Sequence, residues 1–119
     1  MNNTNKGNQG EDLAVKFLEG KDYRILERNF RMRGGEVDIV ARDHECLVFI
    51  EVKMRNSHEF GLPEEAITPQ KIHLLKRTAL FYGMKMKWGN RPYRIDAVTV
   101  DFTHPTFPPV VNHYKNITG

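Results

Sequence analysis

The sequence predicts one small α/β domain, a central mixed β-sheet with helices packed on it. Three observations predict it. Two β-rich runs flank a short polar turn and read as a hairpin. Two other segments repeat apolar residues at helical spacing. The order helix, strand, hairpin, helix, strand then favours a sheet with helices on it. A chain of 119 residues suits a single domain that buries its own core.

Each element has a local reason. Residues 1–9 are polar and Asn-rich and are expected to form a disordered N-terminal tail. From Glu11 to Glu19, Leu13, Ala14, Phe17 and Leu18 recur at helical spacing, and Gly20 is the expected stop. Tyr23 to Met32 reads as a strand. After the Gly34-Gly35 break come Glu36 to Ala41 and Leu47 to Lys53, the two arms of the hairpin. Asn56 to Pro63 reads as a loop. Thr68 and Pro69 open a second helix as N-cap and first helical residue, and Gly83 is expected to end it after Tyr82. Pro92 to Phe102 alternates as a strand. The domain is expected over residues 10–102, with 103–119 a proline-containing extension that wraps the surface.

Composition narrows the class. Hydrophobic residues make up 39% and charged residues 28%, a globular balance and not a disordered one. The formal net charge is +3, which permits a nucleic-acid partner without demanding one. A single cysteine, Cys46, excludes an internal disulfide and a Cys-rich zinc site. No apolar run approaches the roughly 20 residues of a membrane helix, and no signal-peptide core follows Met1. The expected location is the cytoplasm, with no membrane partner. The five histidines lack zinc-site spacing, and no Ser-His-Asp set, Cys-His pair or P-loop is present.

The hairpin carries the chemistry. Side chains alternate along a strand, so Val37, Ile39 and Ala41 share one face of the first arm, and Val48, Ile50 and Val52 share one face of the second. If both sets enter one core, the register is constrained. A two-residue turn at His44-Glu45 then sets Asp38 against Glu51, and Glu36 against Lys53. Opposed side chains start about 4.5–5.5 Å apart. Two carboxylates at that separation repel unless a cation lies between them. Mg2+ or Mn2+ suits such a pair, with Asp38, Glu51 and the Val52 carbonyl as ligands. Lys53, two residues on, then orients water or stabilises charge developing on phosphorus. The same pattern also fits a solvated strand face with Glu36–Lys53 as an ordinary cross-strand pair.

Asp38 followed by Glu51-Val52-Lys53 resembles the PD-(D/E)xK nuclease signature. Gly10-Glu11, Arg28-Asn29-Phe30, Gly34-Gly35-Glu36-Val37-Asp38, Phe49-Ile50-Glu51-Val52-Lys53 and Arg94-Ile95-Asp96 resemble, in that order, the YraN-like family of uncharacterised bacterial proteins. That family is similar to archaeal Holliday-junction resolvases. The resemblance covers about residues 7–102 and implies a restriction-endonuclease-like core. It also implies that Glu11, on the first helix, reaches the metal site; a glutamate in a first turn equally serves the helix dipole. Val37 stands where the signature often has proline.

Substrate contacts are expected from Arg28, Arg31 and Arg33, which cluster before the hairpin, and from Lys71 in the first turn of the second helix. Asp96 reads either as a support behind the metal ligands or, in preference, as a structural partner of a basic residue such as Arg94. The expected activity is a Mg- or Mn-dependent endonuclease acting on DNA, branched or structured DNA by analogy. The alternative is a nucleic-acid-binding module that keeps the fold with little or no catalysis. A homodimer is the assembly to test.

Overall fold

The computed structural model describes residues 4–55, 67–104 and 108–118. The expected loop at 56–63 and the first three residues lie outside them. The elements are α1 (Thr4–Gly20), β1 (Arg24–Met32), β2 (Gly35–Asp43), β3 (Cys46–Arg55), α2 (Pro69–Lys85), β4 (Tyr93–Asp101) and β5 (Val110–Tyr114). They build one five-stranded sheet in the order β1-β2-β3-β4-β5. β3 and β4 are parallel, joined by a crossover through α2, and the other neighbours are antiparallel. The expected fold class is therefore observed, a mixed sheet flanked by helices, consistent with a restriction-endonuclease-like core.

Each helix covers one face. Ala14 and Leu18 of α1 pack with Ile39, Ala41, Val48, Ile50, Val52, Val98 and Val100. Leu75, Ala79 and Tyr82 of α2 pack with Phe30, Val37, Val40, Leu47, Phe49 and Ile95 on the other face. Two-sided burial explains why the central strands read as near-continuous apolar runs and not as clean alternation. Phe30 and Phe49 meet the Tyr82 ring edge-on at 5.0 and 5.7 Å, contacts worth about 0.5–1.5 kcal/mol each beyond area burial.

Four local expectations change. Val37 does not share a face with Ile39; it joins Phe30 under α2, whereas Ile39 packs under α1. Beside this change of face, on β1, Asn29 takes a left-handed φ of 54° between the pairs Arg28↔Ile39 and Phe30↔Val37. Second, α1 starts at Thr4, so residues 4–9 continue the helix; their polar side chains give no amphipathic signal, and a packed helix propagates over them. Third, α2 passes through Gly83 to Lys85, and Lys87, at φ 55°, takes the left-handed turn expected of that glycine. Fourth, the C-terminal extension adds an edge strand, with Asp101↔Val110 through Ala97↔Tyr114 paired. Pro108 and Pro109 lie just ahead of β5, where an edge strand tolerates proline.

The hairpin turn and the second N-cap form as expected. Asp43 pairs with Cys46 around His44-Glu45, with His44 at φ 55°. Thr68 Oγ1 accepts from the Lys71 N–H at 3.1 Å. No helix among the described residues is long and apolar enough to cross a membrane.

Candidate active site

The site lies where the sheet forks. β2 and β3 pair from Asp43↔Cys46 to Ile39↔Ile50, and their ladder stops there. β3 stays with β4 as far as Arg55↔Asp101, while β2 follows β1 to Met32↔Gly35. The next row of the β2–β3 register sets Asp38 against Glu51, as the sequence predicts. In place of the missing ladder bond, the Val52 N–H donates to Asp38 Oδ2 at 2.8 Å. The close approach of α2 holds the fork: a Cβ on Gly35 would collide with Thr78 Oγ1, and Gly34 beside it turns at φ 83°.

Glu51 is not on a solvated strand face, because only 5% of its side chain is exposed. Its Oε2 lies 3.6 Å from Lys53 Nζ and 3.4 Å from Lys71 Nζ. The expected Glu36–Lys53 pair does not form; Glu36 Oε2 instead stands 3.8 Å from Arg31 Nε. The ladder has ended before that row, so the two strands no longer face one another there. Lys71 sits in a first helical turn, where the helix dipole disfavours a cation, and Glu51 supplies the offsetting charge. Burial, then the charge of Glu51, pushes the Asp38 carboxyl up to about 6, against the opposing pull of the Val52 N–H and Lys71. Two acids crowded into a half-buried fork create a local demand for positive charge.

Glu11 approaches from α1 without joining this pair. α1 packs at Gly10 directly against Met54, the residue after Lys53. Glu11 Oε1 accepts from Asn29 Nδ2 at 3.1 Å and lies 3.5 Å from Arg28 Nη2. Asn29 occupies the β1 row opposite Asp38, so Glu11 reaches the strand beside the fork. Among the described residues, no three or more His, Cys, Asp or Glu side chains are grouped closely enough to hold a metal. Asp38 and Glu51 therefore offer a two-carboxylate site. Arg28 is held by Asp12 at 2.8 Å as well as by Glu11. Arg31 and Arg33 are exposed at the β1–β2 turn. An open groove of about 420 Å³ connects Arg31, Gly34, Gly35 and Glu36 with Lys71 and Leu74.

Residues 10–100 match the model of the Uncharacterised protein family UPF0102. The chain belongs to that family. A UPF0102 protein from Caldicellulosiruptor saccharolyticus is 49% identical over 100 residues, covering 84% of this chain and 85% of its own. One from Geobacter metallireducens is 41% identical over 116 residues, 98% of this chain and 93% of its own. One from Carboxydothermus hydrogenoformans is 39% identical over 117 residues, 98% of each. The UPF0102 match runs from Gly10 on α1 into the end of β4, so it contains Glu11, Asp38, Glu51, Lys53 and Lys71 and stops short of β5.

A second polar cluster in this UPF0102 chain is structural, as expected for Asp96. Asp96 is fully buried. It accepts from Arg94 Nε at 3.0 Å, from His113 Nε2 at 2.7 Å and from the Asn116 N–H at 2.9 Å. Burial works to raise its carboxyl, but these hydrogen bonds outweigh it and hold the group below the usual range. Arg94 also donates to Tyr23 and reaches Asp43, while burial pushes the Tyr23 hydroxyl up to about 12. Lys21 Nζ meets His113 Nδ1 at 3.0 Å, which leaves the Nε2–H of that ring to donate to Asp96. This cluster ties β5 to β4 and α1. His113 and Asn29 had no readable role in the sequence, since neither sits in a ligand-like spacing.

Proposed function

We propose that this UPF0102 protein is a metal-dependent nuclease of the PD-(D/E)xK type that hydrolyses phosphodiester bonds in DNA. The observation that carries the reading is the meeting of Asp38 and Glu51 at the fork, with Lys53 and Lys71 both at Glu51 Oε2. Asp38 and Glu51 are hard oxygen donors whose mutual repulsion a divalent cation relieves, and the Val52 carbonyl adds a third oxygen. That set fits Mg2+ or Mn2+, which bind through one or two carboxylates and keep positions for water and phosphate. When bound, such an ion polarises the phosphate and acidifies a water.

The remaining work belongs to the chain's own side chains. Lys53 stabilises the charge that develops on the phosphate oxygens. Lys71 and Arg31 along the groove, with Arg33 exposed at the β1–β2 turn beside it, position the neighbouring phosphates. Glu11 holds Asn29 in its left-handed conformation beside Asp38 and supports the fork from β1. Arg28, tied to Asp12 and Glu11, fastens α1 to β1. Branched or structured DNA is the substrate class implied by the resemblance of these motifs to the resolvase-like signature.

A second reading has one observation in its favour. Lys53 and Lys71 already balance the charges of Asp38 and Glu51, which suits a nucleic-acid-binding module with little catalysis. Calorimetric titration of Mn2+ into the wild type and Asp38→Ala separates the two. The nuclease reading expects binding that the variant loses. Equal affinity in both proteins removes the metal site from Asp38.

A further inference from the structure

The row of the sheet that carries the acid pair continues beyond it. Glu51 pairs with Ala97 on β4, and Ala97 pairs with Tyr114 on β5. Paired residues project to the same face, so Tyr114 stands on the α2 side with Glu51. Two strand spacings separate them, about 9–10 Å. Between the sheet and α2 at that end lies a recess of about 200 Å³ lined by Ile67, Ile72, Ala97, Tyr114 and Ile117. Among the described residues, its lining carries no charged side chain. The floor is Ala97, one strand from Glu51, and one wall is Ile72, the residue after Lys71. An apolar recess with an aromatic wall therefore begins where the acid centre ends.

A nucleotide has the same division. Its phosphate is charged, and its base, one sugar away, is a flat ring that stacks on aromatic side chains. A base paired inside a duplex faces the helix axis and cannot enter a side recess; an unpaired or extruded base can. We propose that this recess receives an unstacked base next to the phosphate held at Asp38 and Glu51, so that the preferred substrate carries unpaired nucleotides. The inference rests on the nuclease reading of the acid pair for the position of that phosphate. Tyr114 is then a specificity residue, which binds the base and takes no part in the chemistry.

The test uses the full chain in chelator, so that binding is read without cleavage. A single-stranded oligonucleotide containing 2-aminopurine and its fully paired duplex are titrated, with anisotropy reporting affinity and 2-aminopurine emission reporting stacking. The wild type should bind the single strand more tightly than the duplex and quench the emission. Tyr114→Ala should weaken single-strand binding by about 5- to 150-fold, the range of one base–aromatic stack, and leave duplex binding unchanged. Tyr114→Phe should behave as wild type, and Ile117→Trp, which fills the recess, should mimic Tyr114→Ala. Unquenched emission with wild type overturns the proposal even if a variant fails to fold. So does an unchanged single-strand to duplex ratio in folded Tyr114→Ala and Ile117→Trp. Cleavage with Mg2+ is measured separately: a protein that cuts paired DNA but ignores unpaired bases keeps its nuclease reading and loses this one. A protein that cuts nothing yet shows the Tyr114-dependent ratio retains a base-binding recess and loses the nuclease.

Discussion

Asp38→Asn keeps the shape of the side chain and an acceptor for the Val52 N–H while removing one charge from the fork. In the native protein, burial and then Glu51 raise this carboxyl from 3.8 to about 6. The folded state thus binds a proton more tightly than the unfolded chain. Stability from this group is present below about pH 4, falls as pH rises through the window from 3.8 to about 6, and is fully lost above it. At about 1.4 kcal/mol per pH unit, the interval amounts to about 3 kcal/mol; partial solvent access brings the working figure to about 2 kcal/mol. The Asn variant lacks this penalty. Urea unfolding followed by circular dichroism in chelator should show it about 2 kcal/mol more stable than wild type at pH 7.5 and equal to it near pH 4. Saturating Mn2+ should reverse the order at pH 7.5, because binding to the native state stabilises the wild type alone. An Asn variant that is less stable than wild type by the same margin at both pH values refutes the reasoning. Asp38 would then be a well-satisfied structural acceptor and not a crowded acid.

Three further outcomes follow from the fold. Gly35→Ala should cost about 1–3 kcal/mol in urea unfolding through its collision with Thr78, and Thr78→Ala should recover part of that loss in the double variant. Asp96→Asn should destabilise the protein by about 3–5 kcal/mol at neutral pH, because Arg94 loses its buried partner; a loss under 1 kcal/mol by the same assay would falsify the network's structural role. Duplex-binding titrations over a salt series should show Arg31→Ala, Arg33→Ala and Lys71→Ala each lowering the log–log slope by about one, with Arg28→Ala leaving it unchanged.

The sequence was most readable where local chemistry and tertiary packing agree. The hairpin register followed from the turn at His44-Glu45 and the apolar sets on both arms, and it set Asp38 against Glu51 before any fold was known. Thr68-Pro69 marked the start of α2 for the same local reason. Legibility failed where a distant element decides the outcome. The solvated-face alternative for Glu51 looked reasonable because nothing in β3 itself announces that α2 lies over it. Lys71 looked misplaced in a first turn because Glu51 is 20 residues away in sequence. The flip of Val37 breaks the strand alternation beside a left-handed Asn29 on the neighbouring strand, and neither residue type announces it. β5 escaped notice because its few residues follow a proline-containing stretch and gain their ladder only from β4. The motifs Gly10-Glu11, Arg28-Asn29-Phe30 and Arg94-Ile95-Asp96 were visible as motifs, but the structure divides them into packing, a kink beside the fork and a buried ion network.

The most direct test of the central claim compares wild type with Lys53→Ala on single-stranded, duplex and four-way DNA under saturating Mg2+ or Mn2+. Wild type should cut at least one of these substrates only when the metal is present. Lys53→Ala should bind the same substrate with nearly unchanged affinity and cut it about 10²–10³-fold more slowly, because its contribution falls in the transition state. Cleavage by Lys53→Ala at the wild-type rate contradicts the mechanism. Failure of the wild type to cut any of the three with either metal contradicts the function itself and leaves the binding module in its place.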